Sequence, residues 1–252
     1  MCTLAIYFRV FPDYPVVLVA NRDEYLSRPA SAPEILASKP QVIGGKDLKA
    51  GGTWLGINQH GLVAGLLNRR AQGGVDPARR SRGLLCLEAL RYRTASEALE
   101  FVQRQDGGAY NPFNLLIVSR AEALVAYNRR DLIETARLAP GLHLLTNLDV
   151  DDFECPKISR AFDHFAELAR DGEFAANPLA QRARLRQLLA DHATPLDSRS
   201  AAPNAICLHL DDYGTRSSSM IFLGAEAQTV AHFFAPGPPC VTEYEPAAVP
   251  IG

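Results

Sequence analysis

The chain has 252 residues, 47% of them apolar and 21% charged, with a formal net charge of -2, which supplies enough apolar side chain for a sizeable core and argues against a nucleic-acid partner. Its five cysteines (Cys2, Cys86, Cys155, Cys207 and Cys240) are odd in number, widely spaced and form no CxxC pair, so neither a disulfide framework nor a zinc site is expected. The start lacks the basic-then-apolar pattern of a secretory leader and no apolar run is long enough to span a membrane, which predicts a soluble, cytoplasmic protein in a reducing compartment.

Residues 3–9 and 16–20 are apolar at nearly every position and are separated by Phe11-Pro12-Asp13-Tyr14-Pro15, so they predict a hairpin covered on both faces. The second strand ends on Asn21-Arg22-Asp23-Glu24. If it stays extended, Asn21 and Asp23 point to one face and Arg22 and Glu24 to the other. Residues 26–43 carry three prolines and read as an extended loop, and Gly44-Gly45-Lys46 reads as a turn. Residues 51–58 and 62–67 predict a second hairpin about Gln59-His60-Gly61, ending on Asn68-Arg69-Arg70, with a glycine- and arginine-rich loop over 71–82. Helices are expected at 83–92 and 95–105, the second capped by Thr94 and ended by Gly107-Gly108. Strands follow at 114–118, 123–127, 132–138 and 141–147, then helices at about 157–171 and 178–191. Residues 205–210, 217–223 and 228–234 read as a closing antiparallel group, and 236–252 as a proline-rich tail. With no repeat and no linker, a single α+β domain over 1–252 is expected.

The chemistry concentrates at the N-terminus. Removal of Met1, which the small Cys2 permits, would leave one residue carrying both a thiol and a free α-amine. An amine of pKa ~7.7–8.0 beside a thiol of ~8.5 is a nucleophile with its own base. Taken alone, a second-position cysteine is also an ordinary small residue opening a strand. Three further strand ends give way to an amide or a guanidinium, at Asn68, Asn147 and Arg216, and such donors suit a developing oxyanion. Each has a plain alternative as a turn residue, an Asx-turn or a surface pair.

Taken together, Met-Cys-Thr at the start, the arginine and acid after the second strand, Gly56-Ile57-Asn58 through Gly61-Leu62 to Asn68, Leu145-Thr146-Asn147 and the late Arg216 resemble the N-terminal-nucleophile hydrolases of the choloylglycine hydrolase and penicillin V acylase type. The NRDE family, also called the transport and Golgi organisation protein 2 family, is a closer resemblance, through Asn21-Arg22-Asp23-Glu24, Gly-Gly-Thr-Trp-Leu-Gly (51–56) and Asn68-Arg69. The resemblance covers nearly the whole chain and implies a four-layer αββα sandwich of antiparallel sheets. It implies Cys2 as nucleophile on a linear amide or thioester, Asn68 and Asn147 as oxyanion donors and Arg216 as a charge near the thiolate. Arg22 would sit beside the thiol and Asp23 on the amine, although an ungapped match puts Asn21 and Glu24 in those places. The Arg22–Asp23 assignment requires a kink or bulge after Ala20. The NRDE association with lipid, acyl-CoA and haem handling implies the other reading, a non-catalytic carrier.

Trp54 and Arg69 are candidate substrate contacts, Trp54 either as core filler or as a pocket wall, and Arg69 within the basic stretch Arg69, Arg70, Arg79, Arg80 and Arg82 that could meet an anionic group. Cys155-Pro156 reads as a turn followed by proline at the first helical position, ahead of the alternative of a haem ligand. The six histidines show no HExxH or HxH spacing, so no metal and no cofactor is expected, and the expected ligand is a small acyl or lipid-like molecule.

Overall fold

The computed structural model describes residues 2–69, 74–194 and 204–250, so Met1 and Arg70 lie outside the described residues. The chain divides into two compact units, Met1–Ser27 with Pro140–Ala247 and Arg28–Ala139 with Ala248–Gly252. Each unit has its own antiparallel sheet.

The first unit begins with the expected hairpin: β1 (Thr3–Phe8) pairs with β2 (Val16–Tyr25), and all of β1 is buried. The chain then builds the second unit. Residues read as an extended loop form β3 (Ala30–Ser38) and β4 (Gln41–Asp47). Proline-rich sequence is tolerated there because β3 is an edge strand, with irregular pairing between Ala30 and Pro33 and again between Ile35 and Ala37. Gly44-Gly45 is likewise strand and not a turn, since a Cβ at Gly45 would lie 2.3 Å from the Trp54 ring. Next come β5 (Thr53–Asn58) and β6 (Val63–Asn68), the expected hairpin. Gly52 leads into it at φ +74°, so close to Gly83 that a Cβ would meet its carbonyl carbon at 2.1 Å; only glycine suits both demands.

Helices α1 (Arg82–Ala89) and α2 (Ala95–Gln103) follow. Thr94 accepts from Glu97 N while Glu97 bonds back to Thr94 N, a complete capping box. The sheet is finished by β7 (Phe113–Val118), β8 (Ala123–Arg129) and β9 (Leu132–Arg137), in the order β3-β4-β5-β6-β7-β8-β9. Leu85, Ala89, Ala98 and Val102 of the helices share a core with Leu115, Ile117 and Ala126 of the sheet.

Back in the first unit, β10 (Gly141–Leu145) pairs with β1, and α3 (Pro156–Arg170) packs on β10. Its buried Ile158, Ala161, Phe165 and Leu168 fall on one face at helical spacing, and Tyr7 Oη donates to Phe165 O across that core. A short α4 (Gly172–Ala176), not expected from the sequence, is capped by Asp171. It is followed by α5 (Arg182–Leu189), β11 (Tyr213–Leu223), β12 (Val230–Ala235) and β13 (Glu245–Pro246). The sheet order is β10-β1-β2-β11-β12-β13. Two expectations fail here. The described part of 205–210 is not a strand but irregular backbone with one bridge, His209 to Gly214. Nor is the proline-rich stretch a loose tail, because β13 pairs with β12. Among the described residues no helix is long and apolar enough to cross a membrane.

Candidate functional site

The strand order β10-β1-β2-β11 decides which residues meet. These four neighbours are mutually antiparallel, so the start of β1, the ends of β2 and β10 and the start of β11 all lie at one end of the sheet. Cys2, Arg22 with Asp23, Asn147 and Arg216 are the side chains at or just beyond those four ends. Far apart in sequence, they become neighbours through strand pairing alone.

Thr3 pairs with Asn21, which sets Cys2 alongside Arg22 and Asp23. The Asp23 N–H donates to Cys2 Sγ at 3.4 Å, and the thiol lies 3.5 Å from Asp23 O. Burial pushes the Cys2 thiol above its ordinary pKa and the Asp23 carboxylate adds to the rise, while the Asp23 N–H and the Arg22 guanidinium oppose it. Asp23 is itself buried and accepts a 2.7 Å hydrogen bond from Thr215 Oγ1. Tyr213 Oη donates to Asp23 O at 3.1 Å.

The kink or bulge expected after Ala20 is absent, since β2 pairs with β1 without a shift through Ala20 and Asn21; a bulge lies instead on the facing strand. Thr215 pairs with Asp23 and Ser217 with Arg22, leaving Arg216 as the extra residue. The bulge re-aims Arg216 at the level of Arg22 and Asp23. Its Nε is buried and makes no hydrogen bond among the described residues, and the same holds for Asn147 Oδ1. The β1–β10 register ends at the Leu4–Leu145 pair, and Asn147 lies two residues beyond it, in a bend. A cleft of about 250 Å³ opens beside Arg216 and Thr215, walled partly by Leu26, Leu208, Leu210 and Pro238.

The other two residues of the name motif stand apart. Asn21 is fully engaged in structure: its Nδ2 donates to Leu189 O at 2.8 Å and Ile206 O at 3.0 Å, and its Oδ1 accepts from Ser218 Oγ at 2.6 Å. Glu24 lies 3.9 Å from the Arg22 guanidinium and accepts from Tyr25 N.

Sequence reasoning missed Lys157. It occupies the first turn of α3, is 2% exposed, and feels the charges of Asp23 and Cys2. Burial pulls its ammonium below the ordinary lysine range, against the opposing pull of Asp23 and Cys2. The available signal was scarcity: Lys157 is one of four lysines in a chain of 26 basic residues. Because folding lowers this pKa, the unfolded chain holds the proton more tightly, and stability rises with pH between the depressed value and the ordinary ~10.4. Lys157→Met removes that rise, so its stability relative to wild type should fall as pH climbs towards ~10.4. Urea unfolding of both proteins from pH 7 to 10 measures it, and a constant difference would mean that Lys157 titrates normally. Next to it, Pro156 opens α3 as expected and Cys155 is wholly buried among core residues.

Asn68, Arg69 and Trp54 belong to the second unit. Asn68 is the exposed last residue of β6, paired with Phe113. Arg69 donates from Nη1 to Asn114 Oδ1 at 3.0 Å and lies 5.9 Å from the Tyr127 ring centre. Trp54, in β5, is half-buried against Gly45. Asn58, one of the residues that carry the resemblance, serves the fold, donating to Leu90 O and Tyr92 O and accepting from His60 N and Leu62 N.

Among solved structures the chain is similar to penicillin V acylase from Agrobacterium tumefaciens, at 13% identity with 93% of this chain and 83% of that one covered and a TM-score of 0.57. It is similar to an N-acylethanolamine-hydrolyzing acid amidase ortholog of Caenorhabditis elegans, at 12% identity, 87% and 92% coverage and a TM-score of 0.57. A variant of conjugated bile acid hydrolase from Clostridium perfringens matches at 11% identity, 99% and 97% coverage and a TM-score of 0.53. The fold is therefore α+β of the N-terminal-nucleophile hydrolase kind. By sequence, the transport and Golgi organization protein 2 homolog of Bos taurus is 31% identical over 234 residues, covering 84% of this chain and 83% of its own length. The Homo sapiens homolog is 28% identical over 236 residues, with the same coverage. With the profile of Transport and Golgi organisation 2 also matching residues 1–233, the chain belongs to the transport and Golgi organisation 2 family.

Proposed function

We propose that this chain is an N-terminal cysteine hydrolase or acyltransferase acting on a linear amide or thioester. The observation that carries the reading is the meeting of Cys2, Asp23, Asn147 and Arg216 at one end of a single sheet, with buried polar atoms of Asn147 and Arg216 lacking partners among the described residues. Buried polar groups are normally satisfied, and a bound amide substrate, offering an N–H to Asn147 Oδ1 and an oxygen to Arg216 Nε, would satisfy these.

The steps follow from the groups present. Once Met1 is removed, the Cys2 α-amine takes the thiol proton, offsetting the burial that otherwise holds the thiol neutral. Sγ attacks the acyl carbon, forming the C–S bond and moving the carbonyl π electrons onto oxygen. Asn147 Nδ2 donates to that oxyanion. Collapse breaks the bond to the leaving amine or thiol, which departs with the proton held by the Cys2 ammonium. Water then attacks the thioester by the same route, and the acid leaves with Sγ restored. Asp23, fixed by Thr215, holds the amine, and Arg22 and Arg216 stabilise negative charge at sulfur. The five free cysteines suit a cytoplasmic setting.

The relatives' names speak of transport and Golgi organization and not of a reaction, and a second reading stands beside the first, a non-catalytic carrier, for which the resemblance alone suggests a lipid, acyl-CoA or haem ligand. Intact-mass spectrometry before and after a limiting dose of iodoacetamide, with peptide mapping, separates the two. The enzyme reading expects loss of Met1 and labelling of Cys2 ahead of Cys86 and Cys155. A retained Met1, or a Cys2 no more reactive than the buried Cys86, would transfer the case to the carrier.

A further inference from the structure

The geometry points to a zinc site of two thiolates and two imidazoles, made by His192, Cys207, His209 and Cys240. It is independent of the function proposed above. Their ligand atoms all lie within 4.8 Å of one another. Cys207 Sγ is 3.7 Å from Cys240 Sγ and 3.6 Å from His209 Nε2, which is 3.3 Å from Cys240 Sγ. The His192 ring stands 5.1 Å from that of His209. A tetrahedral zinc with Zn–S of about 2.3 Å and Zn–N of about 2.0–2.1 Å requires S···S edges of about 3.8 Å and S···N edges of about 3.5 Å. Three edges of the cluster already match; thiol hydrogen bonds span the same distances, and what marks the site is that four such ligand atoms converge within 4.8 Å as a complete tetrahedral donor set.

The chemistry of the donors selects the metal. Two sulfurs and two imidazole nitrogens suit a borderline-soft divalent ion without geometric preference, whereas magnesium and calcium seek oxygen. Binding as thiolates, Cys207 and Cys240 each release one proton, and their two charges neutralise the ion. Four protein ligands leave no open coordination position, which makes the site structural. The sequence concealed it because the ligands come from three places: after α5, before β11 and after β12. Only Cys207-Leu208-His209 is local.

The position gives the metal a task. It would tie the two ends of the 193–206 connection together and to the turn carrying Cys240, closing loops whose ordering is otherwise an entropic cost. Between the ligands Cys207 and His209, Leu208 exchanges two hydrogen bonds with Thr215, N to Oγ1 at 2.9 Å and O from N at 2.8 Å. Thr215 is the residue that holds Asp23 beside Cys2. The metal therefore braces the thiol end of the sheet from behind.

The full chain, purified from zinc-containing medium without chelator, should carry about one zinc per chain by mass spectrometry of its metals. Metal-stripped protein titrated with Co²⁺ should show a thiolate-to-metal charge-transfer band and strong ligand-field bands of tetrahedral cobalt. Cys240→Ser should lower the charge-transfer intensity to about half and His192→Ala should alter the ligand-field bands, with Cys86→Ser and Cys2→Ala unchanged in both. Wild-type protein that holds no zinc and gives no charge-transfer band would overturn the site. So would a cobalt spectrum indifferent to Cys207→Ser, or a Cys207–Cys240 disulfide mapped in protein kept under reductant. The as-purified metal content decides even if stripping or substitution unfolds the chain.

Discussion

Cys2→Ala is expected to abolish turnover of an amide or thioester substrate while leaving the fold intact, with a loss on the order of 10⁴-fold or more. The side chain removed is small, and its sulfur makes its hydrogen bonds among the described residues with the main-chain groups of Asp23, so little packing is lost. Cys2→Ser should fall almost as far, because burial and the Asp23 carboxylate, which already hold a thiol neutral, hold a far less acidic hydroxyl neutral more firmly. Retention of Met1, enforced by a bulky residue at position 2 or by extending the N-terminus, should match Cys2→Ala, since the amine then no longer belongs to the nucleophilic residue. The measurement is single-turnover acyl transfer with thermal unfolding run alongside. Undiminished activity in Cys2→Ala would end the nucleophile assignment, and unaltered ligand binding without any turnover in wild type would favour a carrier.

Much of this arrangement was legible in the sequence because it is local. The unbroken apolar runs of β1 and β2, the Gln59-His60-Gly61 turn and the Thr94 N-cap each follow from a few adjacent residues, and the structure has them where the pattern puts them. What the pattern could not give was pairing. Prolines at 29, 33 and 40 argue for loop until β3 is known to lie at an edge, where missing N–H groups and bulges are tolerated. The bulge that sets Arg216 apart in β11 was not foreseen, and the one expected after Ala20 is absent, since a register shift belongs to a pair of strands and a sequence shows them one at a time. Lys157 and the His192–Cys207–His209–Cys240 cluster escaped for the same reason, being assembled from segments brought together only by the sheet and its helices. The opposite error threatened at Asn21 and Asn58, whose motif positions suggest chemistry and whose amides are spent on backbone carbonyls.

Asn21→Ala should be the most destabilising exchange within the name motif. The Asn21 amide is 1% exposed and joins four segments. Its Nδ2 satisfies Leu189 O at the end of α5 and Ile206 O just before Cys207, and its Oδ1 receives Ser218 of β11, whose hydroxyl in turn receives Tyr244 Oη. Alanine leaves the two carbonyl groups without this donor, while the Ser218 hydroxyl keeps Ala20 O as an acceptor at 3.1 Å. At about 1–3 kcal/mol for each buried group left unsatisfied, the loss should reach about 2 kcal/mol or more, a large part of a typical domain's stability. Asn21→Asp should be no rescue, because a carboxylate oxygen would then face the two carbonyl oxygens without a donor between them. Asp23→Asn, by contrast, keeps a side-chain oxygen for Thr215 and should cost less stability while impairing the chemistry. Urea unfolding midpoints of the three variants make the comparison. If Asn21→Ala unfolds within about 1 kcal/mol of wild type, the amide is not the tie it is taken to be. The same tie spans both ends of the connection that the proposed zinc would clamp, since Leu189 lies just before His192 and Ile206 just before Cys207. Zinc and Asn21 thus restrain one stretch of chain from two sides, and the cost of losing the amide should grow when the metal is stripped.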